Sequence, residues 1–207
     1  MTISQPGYWP LATAQLAEAD PVMAGLIERF PLVWMESRGD AFETLARAIT
    51  GQQISIKAAD TVWQRLLGVT AVTPLALASQ SVAALRACGY SRRKVEYLHD
   101  LARHFADDLI DPAAWPQMED AEIIQVLTQI RGIGQWSAEM FLMFNLLRPD
   151  VLPVDDIGLQ KAFALHYPEL VPQNKANLRR HAECWRPWRS VATWYLWRSL
   201  DPVAVVY

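Results

Sequence analysis

Residues Leu127-Thr128-Gln129-Ile130-Arg131-Gly132-Ile133-Gly134-Gln135-Trp136-Ser137-Ala138-Glu139-Met140 carry the most legible chemistry of this chain. An apolar pattern of helical spacing stops at Ile130 and resumes after Gly134. Two glycines one residue apart let a backbone turn sharply and leave its N–H groups uncovered. Those groups stand at the start of the next helical run, where a phosphate is well bound. Downstream, Pro153-Val154-Asp155 places an acidic residue at the opening of another helical stretch. A phosphate-holding hairpin followed by a lone carboxylate points to an enzyme acting on nucleic acid. A dinucleotide-binding reading of Gly-Ile-Gly fails, because no strand precedes it and position 137 is Ser137, not a third glycine.

The elements that must position these residues read as helices. Phe42, Leu45, Ala46 and Ile49 share one face before Gly51, and Ala58, Ala59, Val62, Trp63 and Leu66 share another ending at Gly68. Val82 and Leu85 lead to Gly89, and Val95, Leu98, Leu101, Ala102 and Phe105 form a stripe after Ser91. Ile123, Val126, Leu127 and Ile130 precede the hairpin, and Ala138, Phe141, Leu142 and Asn145 continue past it. The i, i+3, i+4, i+7 spacing is that of amphipathic helices, with Ser and Asp at the starts and Gly at the ends. Alternating strand patterns and Asn-Gly or Asp-Gly turns are nearly absent. An all-α fold of about ten helices with short links is expected. A chain of 207 residues, 52% hydrophobic, can bury one large core or those of two small lobes, one of them entered twice by the chain. Sequence leaves the lobe boundary open. The whole of 1–207 reads as a single unit, with the hairpin at about 119–147 and the Asp155 segment at 149–166.

Composition excludes several classes. Two cysteines, Cys88 and Cys184, cannot make a disulfide scaffold or a four-cysteine zinc or iron–sulfur site. No secretory signal is visible and no run of about 18 apolar residues exists, so a cytoplasmic protein with no membrane span is expected. The net charge of −3 does not advertise nucleic-acid binding, which must then use local basic groups and few phosphates. Arg92-Arg93-Lys94 is one short basic run, a solvated face by default.

Gly132-Ile-Gly134-Gln-Trp136-Ser-Ala138, followed by Pro153-Val-Asp155, resembles the helix-hairpin-helix DNA glycosylase superfamily. Three more stretches resemble it in the same order. These are Arg47-Ala-Ile-Thr-Gly51-Gln52-Gln53-Ile54-Ser55, Gly89-Tyr-Ser-Arg-Arg-Lys94, and Trp185-Arg-Pro187-Trp188-Arg189-Ser190 running to Trp197. The last is similar to the 3-methyladenine DNA glycosylase II branch. The resemblance spans residues 20–200 and implies a two-lobed helical fold; one departure is expected, since the chain reads as too short for the N-terminal β domain of some members.

The resemblance implies a role for each matched residue. Asp155 would be the catalytic carboxylate, facing a sugar whose transition state carries oxocarbenium charge. Without the hairpin upstream, Asp155 reads first as a helix N-cap; with it, catalysis is favoured, and Asp156 is expected to cap or support. Bifunctional members carry a nucleophilic lysine two residues past the second glycine. Trp136 stands there and cannot form an imine, which implies hydrolysis of the base–sugar bond without strand cleavage. Trp136, Met140 and Trp197 would line the base pocket, Met140 standing where the branch has a tyrosine. Each also reads as ordinary packing. Gln53 would be the wedge filling the stack after base flipping, and Gln52 would support the fold by hydrogen bonding. Gly132, Gly134 and Ser137 would hold DNA phosphate. The carbonyls of Thr128, Ile130 and Gly132 would hold a structural Na+ or K+; no catalytic cofactor and no iron–sulfur cluster is expected.

The expected function is a monofunctional DNA glycosylase for alkylated purines such as 3-methyladenine and 7-methylguanine. Its partner would be double-stranded DNA containing alkylated bases, bound by a monomer, nucleoid-associated in a bacterium. Two rivals stand beside it: a non-catalytic helix-hairpin-helix DNA-binding module, which would not depend on Asp155, and a helical protein binding a small ligand, which would not bind duplex DNA.

Overall fold

The computed structural model describes residues 5–200. In chain order the helices are α1 (Trp9–Ala19), α2 (Pro21–Arg29), α3 (Ala41–Gly51), α4 (Ile56–Leu67), α5 (Pro74–Ala78) and α6 (Val82–Ala87). They continue with α7 (Arg92–Ala106), α8 (Asp120–Leu127), α9 (Gln135–Phe144), α10 (Ile157–His166), α11 (Lys175–His181) and α12 (Arg189–Leu200). Short 3-10 turns occupy Trp115–Gln117 and Ala182–Trp185. The described residues contain no strand, as the sequence pattern predicts, and twelve α-helices against the ten or so expected. The surplus is in pieces such as α5, five residues long, too short to show a helical period.

The chain divides into two compact units. One takes residues up to Ser37 and from Leu142 onward; the other is the continuous stretch Arg38–Phe141. In the continuous unit, polar side chains start the helices where the sequence places them. Asp40 accepts from the Glu43 N–H at 2.8 Å, and Ser55 and Ser91 cap α4 and α7. Phe42, Leu45, Ala46 and Ile49 of α3 are buried, as are Val95, Leu98, Leu101 and Ala102 of α7. Lys94 donates from Nζ to the Thr50 carbonyl at 2.7 Å, so this member of the basic run closes the end of α3.

The discontinuous unit is organised around Asp20. Its side chain caps α2 through the Val22 N–H at 2.9 Å. Its other oxygen accepts from Tyr167 Oη at 2.7 Å and Trp185 Nε1 at 2.8 Å, with His181 Nε2 at 3.2 Å. Burial opposes the charged form, but these donors win and hold the carboxyl well below its usual range. α12 buries residues on every side, from Ser190 to Arg198, which marks it as the central helix of this unit.

Candidate active site

The hairpin sits in the continuous unit. α8 stops at Leu127, and Ile130 and Ile133 plug the turn into the core, at 1% and 4% exposure. Gly132 has φ +89°, the left-handed region, and a Cβ there would lie 2.6 Å from Cγ of Tyr97. Only glycine fits, for reasons internal to the fold. Gly134 is different: a Cβ there would meet nothing within 4 Å, so its openness serves whatever approaches from outside. The N–H groups of Gly132 and Gly134 have no acceptor among the described residues. Two side chains brace the turn. Asp100 accepts from the Arg131 N–H at 2.8 Å, and Gln52 donates from Nε2 to the Gly132 carbonyl at 2.7 Å. Asp100 is buried, yet the Arg131 N–H and the guanidinium groups of Arg103 and Arg131 hold its carboxyl below the usual value.

The other matched residues of this unit lie along the same stretch of chain or before α4. Ser137 is half-buried in the first turn of α9, Trp136 is 39% exposed, and Met140 is buried at 9%. Gln53 is exposed with φ +58°, a conformation that costs a non-glycine residue energy and is worth noting at a tight turn between helices. The carbonyls of Ile130 and Gly132 already accept one bond each, from the Ile133 N–H at 3.0 Å and from Gln52. Each keeps a second lone pair, and neutral oxygens are suitable donors for a hard monovalent ion, so Thr128, Ile130 and Gly132 fit that group chemically.

The carboxylate segment sits in the discontinuous unit. Pro153 and Val154 are buried and carry the chain into α10. Asp156, not Asp155, caps that helix: its Oδ1 accepts from the Leu159 N–H at 2.6 Å and from Trp197 Nε1 at 2.8 Å. The N-cap reading of Asp155 is therefore overturned, because the cap site is filled by its buried neighbour. Trp197 is 6% exposed and stacks on Phe144 with centroids 6.0 Å apart. Gly158 leaves room for this cluster, since a Cβ would lie 3.0 Å from Asp156 Oδ1 and 3.2 Å from the Trp197 ring. Asp155 itself is exposed, with Lys175 Nζ at 2.5 Å from Oδ1. The Lys175 hydrogen bond and charge, with Arg179 adding a smaller effect, hold the Asp155 carboxyl below its usual value. It is ionised at neutral pH.

A family model described as the HhH-GPD superfamily base excision DNA repair protein matches residues 46–189, which contain the hairpin, Gln53 and Asp155. The chain belongs to the HhH-GPD superfamily. Among its relatives, DNA-3-methyladenine glycosylase 1 of Schizosaccharomyces pombe is 34% identical over 166 residues, covering 77% of this chain and 72% of the relative. The crystal structure of a DNA-3-methyladenine glycosidase from Bacillus halodurans superposes with a TM-score of 0.85 at 34% identity, over 97% of this chain and 93% of that one. The Schizosaccharomyces pombe 3-methyladenine DNA glycosylase in complex with abasic DNA superposes at 0.76 with 30% identity, over 94% of this chain and 99% of that one.

Sequence reasoning places the hairpin between two helices and Asp155 ahead of α10, as the structure has them, but does not find the contacts made by Asp100 and Lys175. Asp100 lies 31 residues before the backbone N–H it holds. Its sequence signal is faint: an acidic residue beside Leu98, Leu101 and Ala102, on a face that is otherwise apolar. Lys175 lies in a different helix from Asp155, and no local pattern connects the two.

Proposed function

We propose that the chain is a monofunctional DNA glycosylase that hydrolyses the N-glycosidic bond of alkylated purines, 3-methyladenine and 7-methylguanine among them, in duplex DNA. The observation that carries this is Asp155: an exposed, ionised carboxylate at the family's Pro-Val-Asp position, with the capping duty taken by Asp156. A fixed negative charge stabilises the oxocarbenium character that develops as the base leaves. The names of the relatives and the abasic DNA bound to one of them support the same reading.

The other residues then take binding duties. The open N–H groups of Gly132 and Gly134, with the Ser137 hydroxyl, hold phosphate and read no sequence. Thr128, Ile130 and Gly132 would hold a monovalent cation that adds positive charge for that phosphate. Gln53, exposed on its tight turn, fills the stack when the damaged base is rotated out. Trp136, Met140 and Trp197 supply apolar and aromatic surface for the base, and a cationic alkylated purine is drawn to an indole face. The protein works as a monomer, in the cytoplasm and at the nucleoid in a bacterium. No helix among the described residues is long and apolar enough to cross a membrane.

Strand cleavage needs a neutral amine. Trp136, at the matched lysine position, offers none, and Lys175 Nζ is engaged by the Asp155 carboxylate. The test is release of free base from methylated duplex by the parent and by Asp155→Asn, with borohydride present in a parallel reaction. Base release with an intact strand and no trapped adduct is expected. Near-parental activity in Asp155→Asn would overturn the assignment of the catalytic carboxylate to Asp155, and no base release by the parent would favour the non-catalytic module. A trapped adduct would move the chain to the bifunctional class.

A further inference from the structure

In the DNA-free chain the carboxylate assigned to catalysis is not a bare charge. Lys175 Nζ lies 2.5 Å from Asp155 Oδ1, and both side chains are 51% exposed. An ammonium in that position cancels much of the field that Asp155 would exert on a sugar cation. The arrangement is stable only in the absence of competition, because exposed ion pairs are weak and screened by salt. Lys175 begins α11, and Arg179 stands one turn on, exposed on the same side of the helix. The chain carries a net charge of −3, while α11 carries Lys175, Arg179 and Arg180 close together, so the cations near the carboxylate are a local concentration. Groups facing Asp155 are Lys175 and Arg179 from α11, while its neighbour Asp156 is committed to the Leu159 N–H and Trp197.

We propose that Lys175 is a positioning residue that covers Asp155 in the DNA-free chain and passes to a backbone phosphate when duplex docks, uncovering the carboxylate. The proposal rests on Asp155 acting as the glycosylase carboxylate. A phosphate is the natural acceptor: it carries a full negative charge, it is close to any flipped nucleotide, and a flexible lysine meets it as a point charge. The exchange also couples chemistry to docking, since the field of Asp155 is released only where a phosphate has been engaged.

Base release is followed against pH for the parent, Lys175→Met and Lys175→Arg, at limiting and at saturating protein. The limiting regime reports groups of the free protein and the saturating regime those of the complex. In the parent, the acid limb should lie lower in the limiting regime than in the saturating one, because Lys175 favours the ionised carboxyl only in the free protein. Lys175→Met should bring the two limbs together by raising the first, and Lys175→Arg should restore their separation. The salt dependence of binding to undamaged duplex should lose about one phosphate contact in Lys175→Met. A limb that moves equally in both regimes, or an unchanged salt slope, would show that Lys175 stays on Asp155 in the complex and overturn the proposal. If the parent releases no base, the glycosylase reading fails separately. Carbon-13 NMR titration of Asp155 then still reads the exchange: the carboxyl should titrate higher in Lys175→Met, and higher in the parent once undamaged duplex is added. No movement in either overturns it.

Discussion

The hairpin and the Asp155–Asp156 turn solve one problem in two places. Each pairs a residue built into the fold with a neighbour left to solvent. Gly132 is fixed by the Tyr97 ring and a positive φ, while Gly134 faces open space. Asp156 is fixed by Leu159 and Trp197, while Asp155 reaches outward. The difference lies in what the outer residue offers. Gly134 presents a dipolar N–H with no acceptor among the described residues. Asp155 presents a whole charge, which finds a counterion in Lys175. Both outer groups are reachable by water, and the exposed Asp155–Lys175 pair is weak enough to exchange.

The sharpest way to break this comparison is at the carboxylates. Asp155→Asn keeps size and shape and removes the charge, and base release should fall at least about a hundredfold with duplex binding retained. Asp156→Asn keeps an acceptor for the cap and should cost far less activity; a larger loss there would exchange the two roles. Asp156→Ala should act on stability instead. It removes a helix cap and leaves the buried Trp197 N–H without its acceptor, about 2–3 kcal/mol together, read as a lower Tm. The glycines come next. Gly132→Ala meets the Tyr97 ring and a disfavoured φ, and should lower stability by about 1–3 kcal/mol. Gly134→Val has room, so its Tm should match the parent while binding to damaged and undamaged duplex weakens together, by about tenfold. A lesion-specific loss at Gly134 would separate the hairpin from phosphate binding. The smallest effect is at Asp100. Its native carboxyl titrates below the ordinary value near 4, so it stabilises the fold above that pH and the contribution disappears as pH falls through the depressed value. Tm measured against pH should fall on acidification, and Asp100→Asn should flatten part of that fall.

What the sequence made legible was local. Asp40, Ser55 and Ser91 cap their helices because an N-cap is a short-range matter of one side chain and an N–H three residues on. The stripes of α3 and α7 are buried because a helical period needs only a dozen residues to show itself. The family resemblance carried Gln53, the hairpin and Asp155. The expectation that Asp156 caps or supports is met, since its side chain caps α10, while the alternative N-cap reading of Asp155 is not. The resemblance could not show that Gln52 reaches Gly132 across 80 residues or that Lys175 finds Asp155. A lysine among basic residues at a helix start has no mark in sequence that separates a solvated charge from one facing a carboxylate.

The discontinuity of one unit has a consequence for how the chain is made. Arg38–Phe141 is a single uninterrupted stretch and has all of its own packing partners once Phe141 has been synthesised. Asp20 is made early but waits for Tyr167, His181 and Trp185, which follow it by 147, 161 and 165 residues. Until then a carboxylate destined for burial has only the N–H groups of α2, and the apolar side chains of α1 and α2 have no helix α12 to cover them. Closing so long a loop is slow, and exposed apolar surface is what chaperones hold. The order of birth on the ribosome therefore finishes the unit that carries the hairpin first and the unit that carries Asp155 last.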